Sequence, residues 1–149
     1  MLIIGLEYIG LSSHKINTIE SYGFQFIEPI KEKLLIDLTH NNLTENSFGV
    51  NSFQVNERIV ELRLGANPKL RVLSETVFEP FLVNKFNESD NNSIDLTGSP
   101  LECSPKNLWL LEMEATLGLR NKLKNILSTD GQEFWKHSRK ECANSILEN

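Results

Sequence analysis

With 149 residues, 40% of them hydrophobic, the chain has the length of one domain and enough apolar material for one continuous core. Its net charge of −5 and pI near 5.2 argue against a surface for nucleic-acid phosphates. Its apolar runs are only a few residues long, far short of a membrane span. At the N-terminus, Met1 to Gly10 (MLIIGLEYIG) lacks the basic stretch and small-residue cleavage site of a signal peptide. It reads as the strand of a first repeat, which leads to the expectation that the sequence begins inside a longer protein.

Four segments share one pattern: LEYIGLSSHKI (Leu6 to Ile16), KLLIDLTHNNL (Lys33 to Leu43), IVELRLGANPK (Ile59 to Lys69) and NNSIDLTGSPL (Asn91 to Leu101). Their central leucines, Leu11, Leu38, Leu64 and Leu96, stand 27 (11 to 38), 26 (38 to 64) and 32 (64 to 96) residues apart. Each segment approximates the leucine-rich-repeat template L-x-x-L-x-L-x-x-N-x-L, and the first two intervals fall within the roughly 20–29 residues usual for it. The third interval implies an insertion. Within each segment an apolar pair alternates (Ile9 and Leu11, Ile36 and Leu38, Leu62 and Leu64, Ile94 and Leu96), which places both side chains on one face of a strand. No single repeat can bury these residues, so neighbours must stack into a parallel sheet. Each fully buried Leu or Ile then contributes about 1.5–3 kcal/mol. The fold expected is an α/β repeat, a short solenoid with a concave parallel sheet.

Residues between the apolar pairs face the other way and include Tyr8, Asp37, Thr39, Glu61, Arg63 and Asp95. Three positions after each central leucine stand His14, Asn41, Asn67 and Ser99. The chain leaves the strand there, and a side-chain amide can both donate to and accept from the backbone groups that the turn would strand. His14 and Ser99 are weaker substitutes at the ends; His14 has no cysteine or acidic partner at ligand spacing. Phe24, Phe53 and Phe78 recur 13 to 15 residues after the strand leucines and are expected to stack as a spine on the convex side.

Taken alone, Cys103 and Cys142 are as consistent with two buried thiols as with a bridge. The run IDLTGSPLECSPKNLWLLE (Ile94 to Glu112) resembles the entry to the cysteine-containing cap of extracellular leucine-rich-repeat proteins, with Pro100, Cys103, Trp109 and Leu110 in matching places. The tail STDGQEFWKHSRKECAN (Ser128 to Asn144) resembles the close of that cap, with Cys142 as its last cysteine. A looser likeness is to the arthropod branch that includes the non-catalytic subunit of shrimp luciferase. The resemblance implies about four repeats over residues 1–102 and a cap over 103–149. The family's other two cysteines would fall at Pro105 and near Leu127 or Ser128, so its crossed pairing is impossible here. It implies instead a single Cys103–Cys142 disulfide. Within the cap, Leu108 to Leu119 suits a helix, and Leu119, Leu123, Ile126 and Leu127 suggest that it continues to Leu127. Thr129 to Gln132 has the form of a capping box, predicting another helix that carries Phe134 and Trp135.

Three sequons, at Asn42, Asn87 and Asn91, are candidate glycosylation sites; the last two lie in the polar insertion Val83 to Ser93. The three histidines are scattered, and no phosphate loop, nucleophile elbow or metal-ligand spacing occurs, so neither a cofactor nor a metal is expected. The expectation is a secreted or cell-surface, non-catalytic module that binds a protein partner through the concave residues Tyr8, Asp37, Thr39, Glu61, Arg63 and Asp95. The alternatives are a structural accessory subunit of a secreted enzyme and an intracellular scaffold with both thiols reduced.

Overall fold

The computed structural model describes residues 5–24, 32–53, 58–83 and 92–145. Five strands pair in chain order, every pair parallel: β1 (Tyr8–Gly10), β2 (Leu34–Asp37), β3 (Val60–Arg63), β4 (Ser93–Asp95) and β5 (Leu123–Lys124). The molecule is an α/β structure around this one sheet. Among the described residues three α-helices accompany it: α1 (Glu75–Val83), α2 (Leu108–Leu117) and α3 (Arg139–Asn144).

The register follows the sequence pattern. Ile9, Ile36, Leu62, Ile94 and Leu123 occupy one row across the sheet. Ile36, Leu38, Leu62, Leu64 and Ile94 are 0% exposed, and Leu96 1%. Ile9 and Leu11, in and just after the edge strand β1, are only half-buried, packed against the core. Two residues after each central leucine the backbone takes a left-handed conformation, at Ser13 (φ 61), His40 (φ 54), Ala66 (φ 51) and Gly98 (φ 80). One corner device therefore ends all four segments. Gly65 allows the coils to meet there, since a Cβ on it would lie 2.3 Å from the carbonyl oxygen of Thr97.

The amide ladder forms as its chemistry requires. Asn41 Oδ1 accepts from the N–H groups of His14 and Ile16, both at 3.0 Å, while its Nδ2 donates to the carbonyls of Leu11 (2.8 Å) and Leu38 (3.0 Å). Asn67 repeats this one coil on, accepting from Asn41 (3.1 Å) and Leu43 (3.2 Å) and donating to Leu38 (3.1 Å) and Leu64 (2.9 Å). Ser99 Oγ accepts from the Asn67 N–H at 2.8 Å and donates to Leu64 at 2.9 Å, so a hydroxyl closes the ladder. His14 does not act as a rung, because its side chain is exposed and only its backbone N–H is engaged.

Phe53 bridges Phe24 (5.7 Å, stacked) and Phe78 (5.9 Å). Phe48 and Phe81, which the spacing did not single out, pack into the same group. Phe78 and Phe81 share one side of α1, a helix hidden from sequence reading by Pro80 in its interior.

The C-terminal segment departs from expectation twice. Helix α2 stops at Leu117 because Gly118 turns left-handed (φ 70) and its N–H bonds back to Glu114. The chain that follows is no helix: Leu123 pairs with Ile94 as β5, and Leu127 is 51% exposed. Nor does a helix start at Thr129. Asp130 Oδ1 accepts the Gln132 N–H (3.0 Å), Gly131 is left-handed (φ 85), and Phe134–Lys136 form one 3-10 turn. The true capping box is Ser138 with Glu141, at the start of α3. Cys103 and Cys142 form a disulfide, with Cα atoms 4.6 Å apart and a sequence separation of 39. Closing that loop stabilises by at most about 4 kcal/mol on the chain-entropy account.

Candidate functional site

Residues alternating with the buried rows build one polar face of the sheet. Tyr8, Leu35, Glu61 and Ser93 form one row; Gly10, Asp37, Arg63, Asp95 and Lys124 form the next. The six residues expected to face away from the core are all partly or well exposed, Tyr8 the most at 54%. With strands about 4.8 Å apart, Asp37 and Asp95 stand roughly 10 Å from one another with Arg63 between them. Charge therefore alternates along the row from Asp37 to Lys124.

These carboxylates are held in place by their neighbours. Asp37 Oδ1 accepts from the Thr39 N–H (3.0 Å) and hydroxyl (2.7 Å), and Tyr8 donates to Oδ2 at 3.5 Å. Asp95 has the same partners in Thr97, at 2.9 and 2.6 Å, with Asn125 Nδ2 at 3.4 Å. The repeated words Ile36-Asp-Leu-Thr and Ile94-Asp-Leu-Thr thus spell one device twice. Burial pushes both carboxyls up, but the threonine bonds and Arg63 outweigh it and hold each below its ordinary range. Glu61 receives Lys33 at 3.0 Å and Arg63 at 3.3 Å. Its burial is likewise outweighed by these two cations, which keep it ionised.

Sequence reading overlooked Lys33, Lys124 and Asn125. Lys33 precedes the strand, where alternation is silent, and the other two were assigned to a helix. Thr97 was legible as an outward residue and earns its role by repetition of Thr39. Among the glycosylation candidates, Asn42 is exposed, its N–H bonded to the Ile16 carbonyl at 2.9 Å. Asn87 and Asn91 lie outside the described residues.

One cluster has the composition of a nucleophilic site without its geometry. Ser128 Oγ lies 2.8 Å from His137 Nε2, and Glu141 Oε2 lies 3.6 Å from His137 Nδ1. Ser128 is only 2% exposed, however, and its single hydroxyl proton goes to the Asp130 carboxylate. His137 must then donate to Ser128, the reverse of what a general base does. The cluster ties a loop. Among the described residues no group of three or more His, Cys, Asp or Glu side chains could hold a metal ion, and no helix is long and apolar enough to cross a membrane. No family model matches the chain, and neither do curated proteins or solved structures.

Proposed function

We propose that the chain is a short leucine-rich-repeat solenoid, closed by a cap from residue 103 onward, that recognises a protein partner through its polar sheet face and carries no catalysis. One observation carries the reading: Tyr8, Asp37, Glu61, Arg63 and Asp95 lie together on registered strands, with Thr39 just past the end of β2, and their carboxylates are locked by intrachain bonds. Side chains fixed in advance lose little entropy on binding. Supporting the repeat assignment are the recurring register, the shared left-handed corner and the Asn41–Asn67–Ser99 ladder. Secretion or cell-surface display is supported by the disulfide and by the exposed sequon at Asn42, where we place a glycan.

The test is capture of proteins from a secreted fraction by the immobilised chain and by its Asp37→Lys, Glu61→Lys, Asp95→Lys variant, with circular dichroism to show that both are folded. The variant is expected to lose the partner. Equal capture by both would remove the sheet face from the reading.

A further inference from the structure

Beyond β5 lies a cleft of about 730 Å³ that the recognition reading does not use. Its walls include Lys124, Asn125, Leu127, Glu133 and Trp135. This volume is in the range of roughly 300–1,000 Å³ that suits a specific ligand. The cleft exists because β5 is short. Asn125 stands at the sheet position that Leu96 holds in β4, yet it already turns left-handed (φ 59), whereas the β4 segment turns two residues later, at Gly98. The chain leaves the sheet early and uncovers the last edge.

That edge offers backbone groups in the orientation a further strand needs. The carbonyls of Lys122 and Lys124 accept from Ile94 (2.7 Å) and Leu96 (3.1 Å), so they point toward β4. Since all described peptides are trans, the Asn125 N–H points opposite to the Lys124 carbonyl, away from β4. Strand alternation sends the Leu123 carbonyl to the same outer side. No turn or loop hydrogen bond engages either group among the described residues. The open stretch ends at Asn125, because residues 132–134 pair beside residues 126–128, with the Phe134 N–H on the Ile126 carbonyl at 3.2 Å.

The side chains select what could pair there. Leu127 is 51% exposed, and Trp135 is half-buried with its ring edge-on to Phe134 at 5.7 Å. Arg120 is answered by Glu114 at 2.8 Å and Glu133 by Lys136 at 4.0 Å. Lys124 is exposed and, among the described residues, has no carboxylate within 4.0 Å. The cleft therefore presents an apolar wall, a short open strand edge and one cation that makes no ion pair among the described residues.

We propose that this cleft docks an extended peptide segment of a partner protein, which adds beside β5 as a sixth strand, lays an apolar side chain on Trp135 and Leu127, and sets an acidic side chain against Lys124. The cleft adjoins the polar face at its last strand, where Lys124 ends the charged row and Asn125 bonds to Asp95 at 3.4 Å, but it lies three strands from Asp37.

The probe is the capped peptide Leu-Glu-Leu-Glu-Leu, titrated against the full chain while its tryptophan emission is followed. Trp109 is 5% exposed with its indole N–H bonded to Leu73, so a change reports on Trp135. Saturable binding is expected. It should weaken by about fivefold or more when both glutamates become lysine, and likewise when the central leucine becomes proline, which removes a strand N–H. Lys124→Glu should reverse the preference between the acidic and basic peptides, and Trp135→Ala, followed by calorimetry because it removes the reporter, should abolish binding of both. Asp37→Lys should leave the titration unchanged, which separates this site from the sheet face. No saturation up to millimolar peptide, equal binding of the lysine peptide, or an unaltered Lys124→Glu titration would each overturn the proposal.

Discussion

The first coil and the two after it carry aliphatic residues at the same strand positions, yet these end in different states. Ile36, Leu38, Leu62 and Leu64 are sealed from solvent, while Ile9 and Leu11 at the same positions remain partly open. The side chains are equivalent; the neighbours are not. Burial in a stack is conferred from outside, so the same residue is worth more in the middle than at the end.

The largest test of this contrast pairs Leu64→Ala with Leu11→Ala. We expect the first to cost about 2–5 kcal/mol and the second less than half as much, read from urea denaturation midpoints. Equal losses would mean that the first coil is as well packed as the third. Next comes the staple that one end has and the other lacks. Replacing Cys103 and Cys142 by serine should cost about 2–4 kcal/mol and expose the C-terminal segment to protease before the sheet. A smaller effect separates the rungs: Asn67→Ala should cost about 1–3 kcal/mol, because it strands buried backbone groups on two coils. His14→Ala should leave the midpoint where it is. Smallest is the pH dependence. Asp37 and Asp95 titrate below the ordinary carboxyl value of 3.8 in the folded chain, so they contribute stability above that pH and lose it as pH falls through their folded values. Thr39→Val with Thr97→Val should flatten that acid limb, as followed by thermal melts between about pH 5 and pH 2. An unchanged limb would assign the acid sensitivity to other carboxyls, such as Asp130 or Glu141.

What was legible in the sequence was what repeats. The strand leucines, the amide positions and the phenylalanine spacing each occur several times, and agreement between copies outweighs the ambiguity of any one. The single-copy elements were less legible: the helix from Leu108 and the disulfide were expected, while α1 was not read and residues 119–132 were misread. Helix α1 occurs once and carries Pro80, which argues locally against a helix. Leu119, Leu123, Ile126 and Leu127 have helical spacing, but Gly118 ends α2, and the open edge of β4 claims Leu123 for the sheet. Thr129 and Gln132 matched the capping pattern in letters; Ser138 and Glu141 matched it in fact, with Gly131 excluding the earlier start. The carboxylate positions of the polar face followed from alternation, while their clamps, Lys33 and Asn125, sit off the strands where no period operates.

The amide ladder has a direction. Asn41 holds the N–H groups of residues 14 and 16, and Asn67 holds those of residues 41 and 43, so each rung secures the coil before it. Breaking one frees backbone on the upstream side first, and opening runs toward residue 5 rather than toward the disulfide. Amide exchange should therefore rank the described coils in chain order, fastest in the first.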